Sequence, residues 1–286
     1  MAKKKRKSLF SFIKNKNWNE YWSTSISQVN PDTGNSVVRG YRLCDMIESK
    51  MSFAEMVYLV IRGELPDDKQ RKMVDALLCS IGDYGFNSMV TVPGRTIVSA
   101  SPDSPIPGIA AGILSLGRTY VSPQFAGELL ESAYQQMKAE NLSAEEVAEK
   151  VVSSYLDRGE AVPGLGHPYY RDADLRAESL LKVQDELGLI GEYSGIYEAI
   201  RKAAEVKIGR EISLNWPARV ACIGAELGFT PVEITGIAVL GYTPALVAHI
   251  SEELRDGVPL RIVPPHMQQY TGVGERDLPE QYIKKS

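Results

Sequence analysis

Apolar positions recur with a helical period along most of the chain. Phe53, Met56, Val57, Val60 and Ile61 fall at the i, i+3, i+4, i+7, i+8 spacing of one helix face. Gly63-Glu64-Leu65-Pro66 stops that helix, and Asp67 or Asp68 starts the next, with Met73, Ala76, Leu77 and Ile81 on its inner face. Ser143-Ala144-Glu145-Glu146 has the capping-box spacing before Val147 and Val151. Thr230-Pro231-Val232-Glu233 has it again, with proline at the first helical position, and opens a long apolar helix to Ile250. Strand-like alternation is scarce, and only Thr91 to Ala100 is open to either reading. The pattern predicts an all-α protein.

Breaker residues gather at Ala100 to Gly108, Gly159 to Asp174 and from Asp256 to the end, which reads as loops. No period of 20 to 50 residues repeats, so a solenoid is not expected. The stretch Ile234 to Ile250 carries Thr235, Thr243, Pro244 and His249 and reads as a buried core helix rather than a membrane span. No secretory core follows the start, because lysine and asparagine break up Ser8 to Trp22.

Composition changes the picture little. Hydrophobic residues make up 44% and charged residues 24% of 286 positions, as in an ordinary soluble globular protein. A formal net charge of −4 and a pI near 5.6 offer nucleic acid no bulk attraction. Cys44, Cys79 and Cys222 are widely spaced without a CxxC pair, which argues for a reducing, cytoplasmic setting and against a zinc site. The start, MAKKKRK, reads as a solvated tail, extending to about residue 22, or as a nuclear-type or membrane-surface basic patch.

Candidate chemistry sits in Val162-Pro163-Gly164-Leu165-Gly166-His167-Pro168. Two glycines and two prolines frame one histidine, the side chain whose ordinary pKa suits proton transfer near neutrality. Glycine permits positive φ and a ligand's close approach, although a glycine-rich turn with an incidental histidine has the same composition. Arg171 and Arg176, five positions apart, could clamp a carboxylate or phosphate, or simply pair with Asp172 and Asp174. His249 lies on an apolar helix stripe, as a satisfied core histidine or a ligand group. His266 follows Pro264-Pro265 and is given no chemistry, and the three histidines are too scattered for a metal site.

The run GLGHPYYRDADLRAESL resembles the GxGHPxxKxxDPRAxxL motif of the citrate synthase and citryl-CoA lyase superfamily. Val38-Arg39-Gly40-Tyr41, Ser52-Phe53-Ala54-Glu55 and Leu59 to Pro66 resemble its opening. Ala110 to Gly117 resembles its AAGLLALG helix, Ala248 to Glu253 its AHIxEE, and Tyr270-Thr271-Gly272 its YxG tail. The likeness runs in order from about Ser25 to Gly272, and its length suits the short citryl-CoA lyase-like branch.

The resemblance implies a large helical domain, residues 23–121 and 223–286, interrupted by a small one, residues 122–222, that carries the GLGHP segment. It implies a homodimer whose C-terminal segment reaches the neighbour's site, with Arg255, Arg261 and the tail to Gly272 as candidates. Coenzyme A would enter as an acyl-CoA, with Arg171, Gly164 and Gly166 placed to hold it and Lys182 and Arg210 also available for its phosphates; no metal is implied. In the family a carboxylate deprotonates the acyl-CoA α-carbon, one histidine hydrogen-bonds the enolate and another polarises the electrophilic carbonyl. His167 matches the carbonyl-polarising histidine, and Arg176 matches the arginine that grips a substrate carboxylate.

The remaining positions differ. Tyr120 is the nearest candidate for the enolate donor, and Asp83-Tyr84-Gly85 has tyrosine where the family has DHG. Leu214-Asn215-Trp216-Pro217-Ala218 has proline in place of the catalytic aspartate of LNVDGA, and the helix-borne arginine falls at Tyr242. Three readings follow. The chain is an acyl-CoA carbon–carbon lyase or synthase with Glu211, Asp172 or Asp174 as base; or an enzyme of another acyl-CoA step; or a non-catalytic CoA-ester binder paired with a paralogous, active citrate synthase-like subunit. Trp216 and Tyr242, with Asn215 and His249 nearby, make the expected pocket less cationic and more aromatic, which suits a substrate with fewer carboxylates than citrate.

Overall fold

The computed structural model describes residues 8–16, 18–117, 123–166 and 173–283. Thirteen helices and one small sheet are formed among them. The helices are α1 Leu9–Asn15, α2 Trp18–Tyr21, α3 Leu43–Glu48, α4 Phe53–Arg62, α5 Asp68–Cys79, α6 Thr91–Ala100 and α7 Ile106–Leu114. They continue with α8 Pro123–Glu140, α9 Ala144–Asp157, α10 Leu175–Glu186, α11 Glu192–Ile208, α12 Trp216–Glu226 and α13 Pro231–Asp256. The all-α expectation holds. The described part of the expected tail carries α1 and α2.

The stop and start chemistry acts as the sequence suggests. Ser52, Asp67, Ser143 and Thr230 each close a capping box on α4, α5, α9 and α13. Gly63 ends α4 in the left-handed conformation at φ 86°.

Two expectations are corrected, one open stretch is settled, and one expected core helix is found. Thr91 to Ala100 is helical, despite its β-branched residues. Pro93 falls in the first turn, where an N–H has no intrahelical partner, and Gly94 lets α6 close on Gly108, whose carbonyl would stand 3.1 Å from an added Cβ. The strands lie instead at β1 Ser27–Val29, β2 Ser36–Val38 and β3 Tyr41–Arg42, an antiparallel meander in order β1-β2-β3. Its first strand is wholly exposed, so no alternation marks it. Its last turn is visible only in the chemistry of Arg39-Gly40, both at positive φ between the paired Val38 and Tyr41. On α4 the buried residues are Ala54, Val57, Tyr58 and Leu59, while Phe53 is 57% exposed, so the inner face is turned from the one its spacing suggests. Finally, α13 is long and apolar enough to cross a bilayer by length and composition. Its threonines, proline and histidine break the run in sequence without breaking the helix. Its buried residues, from Ile234 to Glu253, pack inside this fold.

Two hydrophobic clusters organise the packing. The first joins α4, α5, α6, α10, α12 and α13, through residues such as Tyr58, Met73, Leu180, Ile234 and Leu246. The second joins α8, α9, α11 and α12, through Leu130, Val147, Ile196, Ile200 and Cys222. Helix α12 serves both: Trp216, Val220 and Ile223 enter the first, and Ala218, Ala221 and Cys222 the second. A helix apolar all round is buried all round, and α12 therefore fixes how the two clusters meet. Leu180, Trp216 and Val220 of the first cluster fall within the expected 122–222 insertion.

Candidate active site

The loop before α12 is held by a short antiparallel bridge between Leu165 and Leu214. Gly166 N–H donates to Ser213 O at 2.9 Å, and Asn215 N–H donates to Gly164 O at 3.0 Å. Asn215 caps α12: its Oδ1 accepts from Ala218 N–H, and its Nδ2 donates to Gly166 O at 2.9 Å. Both ends of its amide are engaged with the chain itself. Gly164, at φ +83°, packs so tightly that an added Cβ would meet Tyr197 Oη and lie 2.6 Å from Ala218 Cβ. At Gly166, with φ +73°, nothing among the described residues lies within 4 Å of an added Cβ. Of the two glycines, Gly164 is the one fixed by packing, while Gly166 has both its backbone polar groups paired within the chain and leaves space on its Cβ side.

Across α12 lies a buried ion pair. Asp174 caps α10 and accepts from Arg176 N–H at 3.2 Å, Arg176 Nε at 3.0 Å, Arg176 Nη2 at 2.9 Å and Trp216 N–H at 2.9 Å. Its side chain is 1% exposed. Burial opposes its charge, but the Arg176 guanidinium and the two N–H groups outweigh that and hold the carboxyl below the usual range. A carboxylate so held is a poor base, which removes Asp174 from the candidates for proton abstraction.

Arg176 carries the chemistry of this corner. Its guanidinium stands 4.6 Å from the Tyr84 ring centre and 5.9 Å from that of Trp216. Burial works against its charge too, yet Asp174, with Tyr84 and Tyr242 nearby, raises its pKa above the ordinary value. Trp216 is 1% exposed and donates Nε1–H to Ser80 Oγ at 2.7 Å, and Tyr242 is 3% exposed. The structure thus brings together Arg176, Trp216, Tyr242 and, from the unmatched DHG segment, Tyr84. Trp216→Phe keeps the ring packing and removes one buried hydrogen bond. It should cost about 1 kcal/mol, read as a small drop in the urea midpoint at unchanged slope.

His249 takes a different position. Its Nε2 lies 3.0 and 3.1 Å from the Asp83 carboxylate oxygens, and its Nδ1 lies 3.4 Å from Arg95 Nη1. Asp83 also accepts from Tyr84 N–H at 2.7 Å and Gly85 N–H at 3.0 Å. His249 therefore pins the turn that presents Tyr84. Arg95 continues the chain to Glu252 at 2.6 Å and to buried Glu253 at 2.5 Å, which also receives Arg261 Nε at 2.6 Å. Arg261, expected to reach towards a neighbour, is held by its own chain, and Arg255 pairs with Asp256.

Glu211 lines the cleft between α10 and α11 described below, together with Asp174. His167, Tyr120, Arg171 and Asp172 lie outside the described residues. Among the described residues no cluster of three metal-ligating side chains occurs.

The model of the citrate synthase C-terminal domain family matches residues 19–81 and 67–265. The chain belongs to the citrate synthase family, whose members are CoA-ester carbon–carbon lyases and synthases. Among solved structures, citryl-CoA lyase from Hydrogenobacter thermophilus aligns with a TM-score of 0.81 at 31% identity, over 91% of this chain and 98% of that one. ATP citrate lyase from Methanothrix soehngenii, solved with citrate and coenzyme A, shares the fold with a TM-score of 0.74 at 17% identity, over 100% of this chain and 47% of that one. Among curated proteins, 2-methylcitrate synthase 1 of Corynebacterium glutamicum is 29% identical over 126 residues, 43% of this chain and 32% of that protein. A putative citrate synthase 2 of Mycobacterium tuberculosis is 29% identical over 226 residues, 75% of this chain and 55% of that protein. The chain thus spans between a third and about half of these curated relatives.

Sequence reasoning places His249 and Tyr84 without their connection. The signal is present, because Asp83 precedes Tyr84 and His249 sits in the AHI segment, but only folding brings the two segments together.

Proposed function

We propose that this citrate synthase family member acts on an acyl-CoA as a carbon–carbon lyase or synthase, with a substrate poorer in carboxylates than citrate. The observation that carries the reading is the Arg176 corner: one half-buried guanidinium, flanked by Tyr84, Trp216 and Tyr242. One carboxylate can be met by the part of Arg176 that Asp174 leaves free, beside the part-exposed ring of Tyr84. The likeness to citryl-CoA lyase over nearly its whole length supports cleavage through an enolate. Gly166 suits the approach of a CoA ester, since nothing among the described residues stands within 4 Å of a Cβ added there, beside the segment that leads to His167.

A second reading has its own observation. Pro217 occupies the position of the family's base, and Asp174 has both oxygens occupied by Arg176 and Trp216, so among the described residues around Arg176 no free carboxylate is found. That favours a CoA-ester-binding paralogue partnered with an active chain. Purified protein that cleaves or condenses a CoA ester, with activity lost in His167→Ala, supports the first reading. No turnover with any ester, alongside co-purification with a second citrate synthase-like chain, sinks it. Solvent deuterium exchange into the acyl α-carbon, measured before and after Pro217→Asp, tells which case holds: exchange that appears only in the variant means the natural chain lacks a base.

The exposed apolar residues of α6 and α7, Val92, Ile97, Ile106 and Leu114, support a homodimer through this face. All three cysteines are free, which suits a reducing, cytoplasmic setting.

A further inference from the structure

On the far side of Asp174 from Tyr84, α10 and α11 enclose a second cleft of about 620 Å³, floored by Ile212, Ser213 and Leu214. This volume suits a small molecule. Arg219, from the second turn of α12, lines it and is only 7% exposed. Its Nε makes no hydrogen bond, and among the described residues no acceptor or ion-pair partner meets its guanidinium. One buried N–H without an acceptor costs about 1–3 kcal/mol, and a guanidinium that its own chain leaves without an acceptor is a place for an anion.

The acids around it are mostly committed. Glu198 holds Arg201 through two hydrogen bonds, Nε to Oε2 at 3.0 Å and Nη2 to Oε1 at 2.5 Å. Glu205 meets Arg201 as well and accepts from Ile212 N–H at 2.9 Å. Asp174 is taken by Arg176. Glu178 and Glu211, both exposed, stand at the cleft without such partners. The lining therefore holds five carboxylates against two guanidinium groups, a field that repels a simple anion from the arginine that needs one. A ligand carrying a carboxylate and a cationic group together satisfies both demands.

We propose that this cleft binds a small zwitterion, an α-amino acid by class, with its carboxylate on Arg219 and its ammonium against Glu178 and Glu211. The floor of the cleft is the strand that pairs with Gly164 and Gly166. The bound ligand thus touches the support of the segment leading to His167 and, through Asp174, borders the Arg176 corner.

The test uses the full chain and titration calorimetry with each common α-amino acid, with acetate and ethylamine as the two halves of the ligand. At least one amino acid should bind and raise the thermal midpoint, while neither half does so alone. Arg219→Met should lose that binding by at least about tenfold while the free protein's midpoint stays the same or rises, since an unpaired buried charge has gone. Glu178→Gln with Glu211→Gln, both at exposed positions, should also weaken it about tenfold. The proposal is overturned if no amino acid binds, if binding survives Arg219→Met, or if acetate binds as tightly as the amino acid.

Discussion

Replacing Gly164 with alanine is expected to destabilise the protein by about 2–5 kcal/mol. The backbone there is left-handed at φ +83°, which costs an L-residue roughly 1–2 kcal/mol. The new methyl would also collide with Tyr197 Oη and Ala218 Cβ. Neither can withdraw. Tyr197 is wholly buried in the second cluster and donates to Pro163 O at 2.6 Å, and Ala218 belongs to α12, which both clusters grip. Overpacking of this kind adds about 1–3 kcal/mol. Gly166→Ala is the matching control, with a similar φ but nothing among the described residues within 4 Å of the new methyl. It should cost about 1–2 kcal/mol and instead weaken CoA-ester binding, because the methyl fills the space on the Cβ side of the backbone. Urea unfolding of both variants reads the difference as a shift in midpoint. A Gly164→Ala loss no greater than that of Gly166→Ala would contradict the assignment of the first glycine to packing and the second to ligand approach.

The pair shows what a motif can and cannot tell. Both glycines of GLGHP read identically in sequence, since positive φ and close approach are properties of the residue type. Their separation depends on Tyr197, which lies on a helix about thirty residues later and is placed by α11 packing on α8 and α9. The helices themselves are legible because their ends are local chemistry: the four capping boxes need only residues three positions apart. The β meander is not, because strand β1 has no buried side from which alternation could arise. Thr91 to Ala100 is ambiguous because its β-branched residues favour a strand while its contact with Gly108 favours a helix, and the contact is not local.

The candidate site divides in the same way. Motif positions single out Arg176, Trp216 and Tyr242, and the fold brings them to one corner. Asp174 reads as a candidate base in sequence, since nothing there distinguishes a free carboxylate from a committed one. Only the burial at the start of α10 and the donated Trp216 N–H reveal it as the fixed partner of Arg176. Asn215 reads as a substrate contact for a similar reason, although it caps α12 and holds the Gly166 strand.

Asp174→Ala should therefore be among the most damaging single changes, at about 3–5 kcal/mol. It leaves the largely buried Arg176 without a counter-charge, removes the N-cap of α10 and frees Trp216 N–H. The double variant Asp174→Ala with Arg176→Met should recover part of that loss, because no unpaired charge then remains. If the loss comes only from a missing cap, the double variant will be no more stable than the single one. The pH dependence gives a second check. The folded-state pKa of Asp174 lies below its unfolded value, so its stabilisation is complete above pH ~4 and fades as pH falls through the folded value. In the natural protein the unfolding midpoint should decline on acidification below pH ~4, and Asp174→Asn, which cannot ionise, should flatten that part of the profile. Near neutrality the Asp174→Asn variant should remain less stable than the natural protein, since an amide cannot return the Arg176 charge or accept from both of its nitrogens at once.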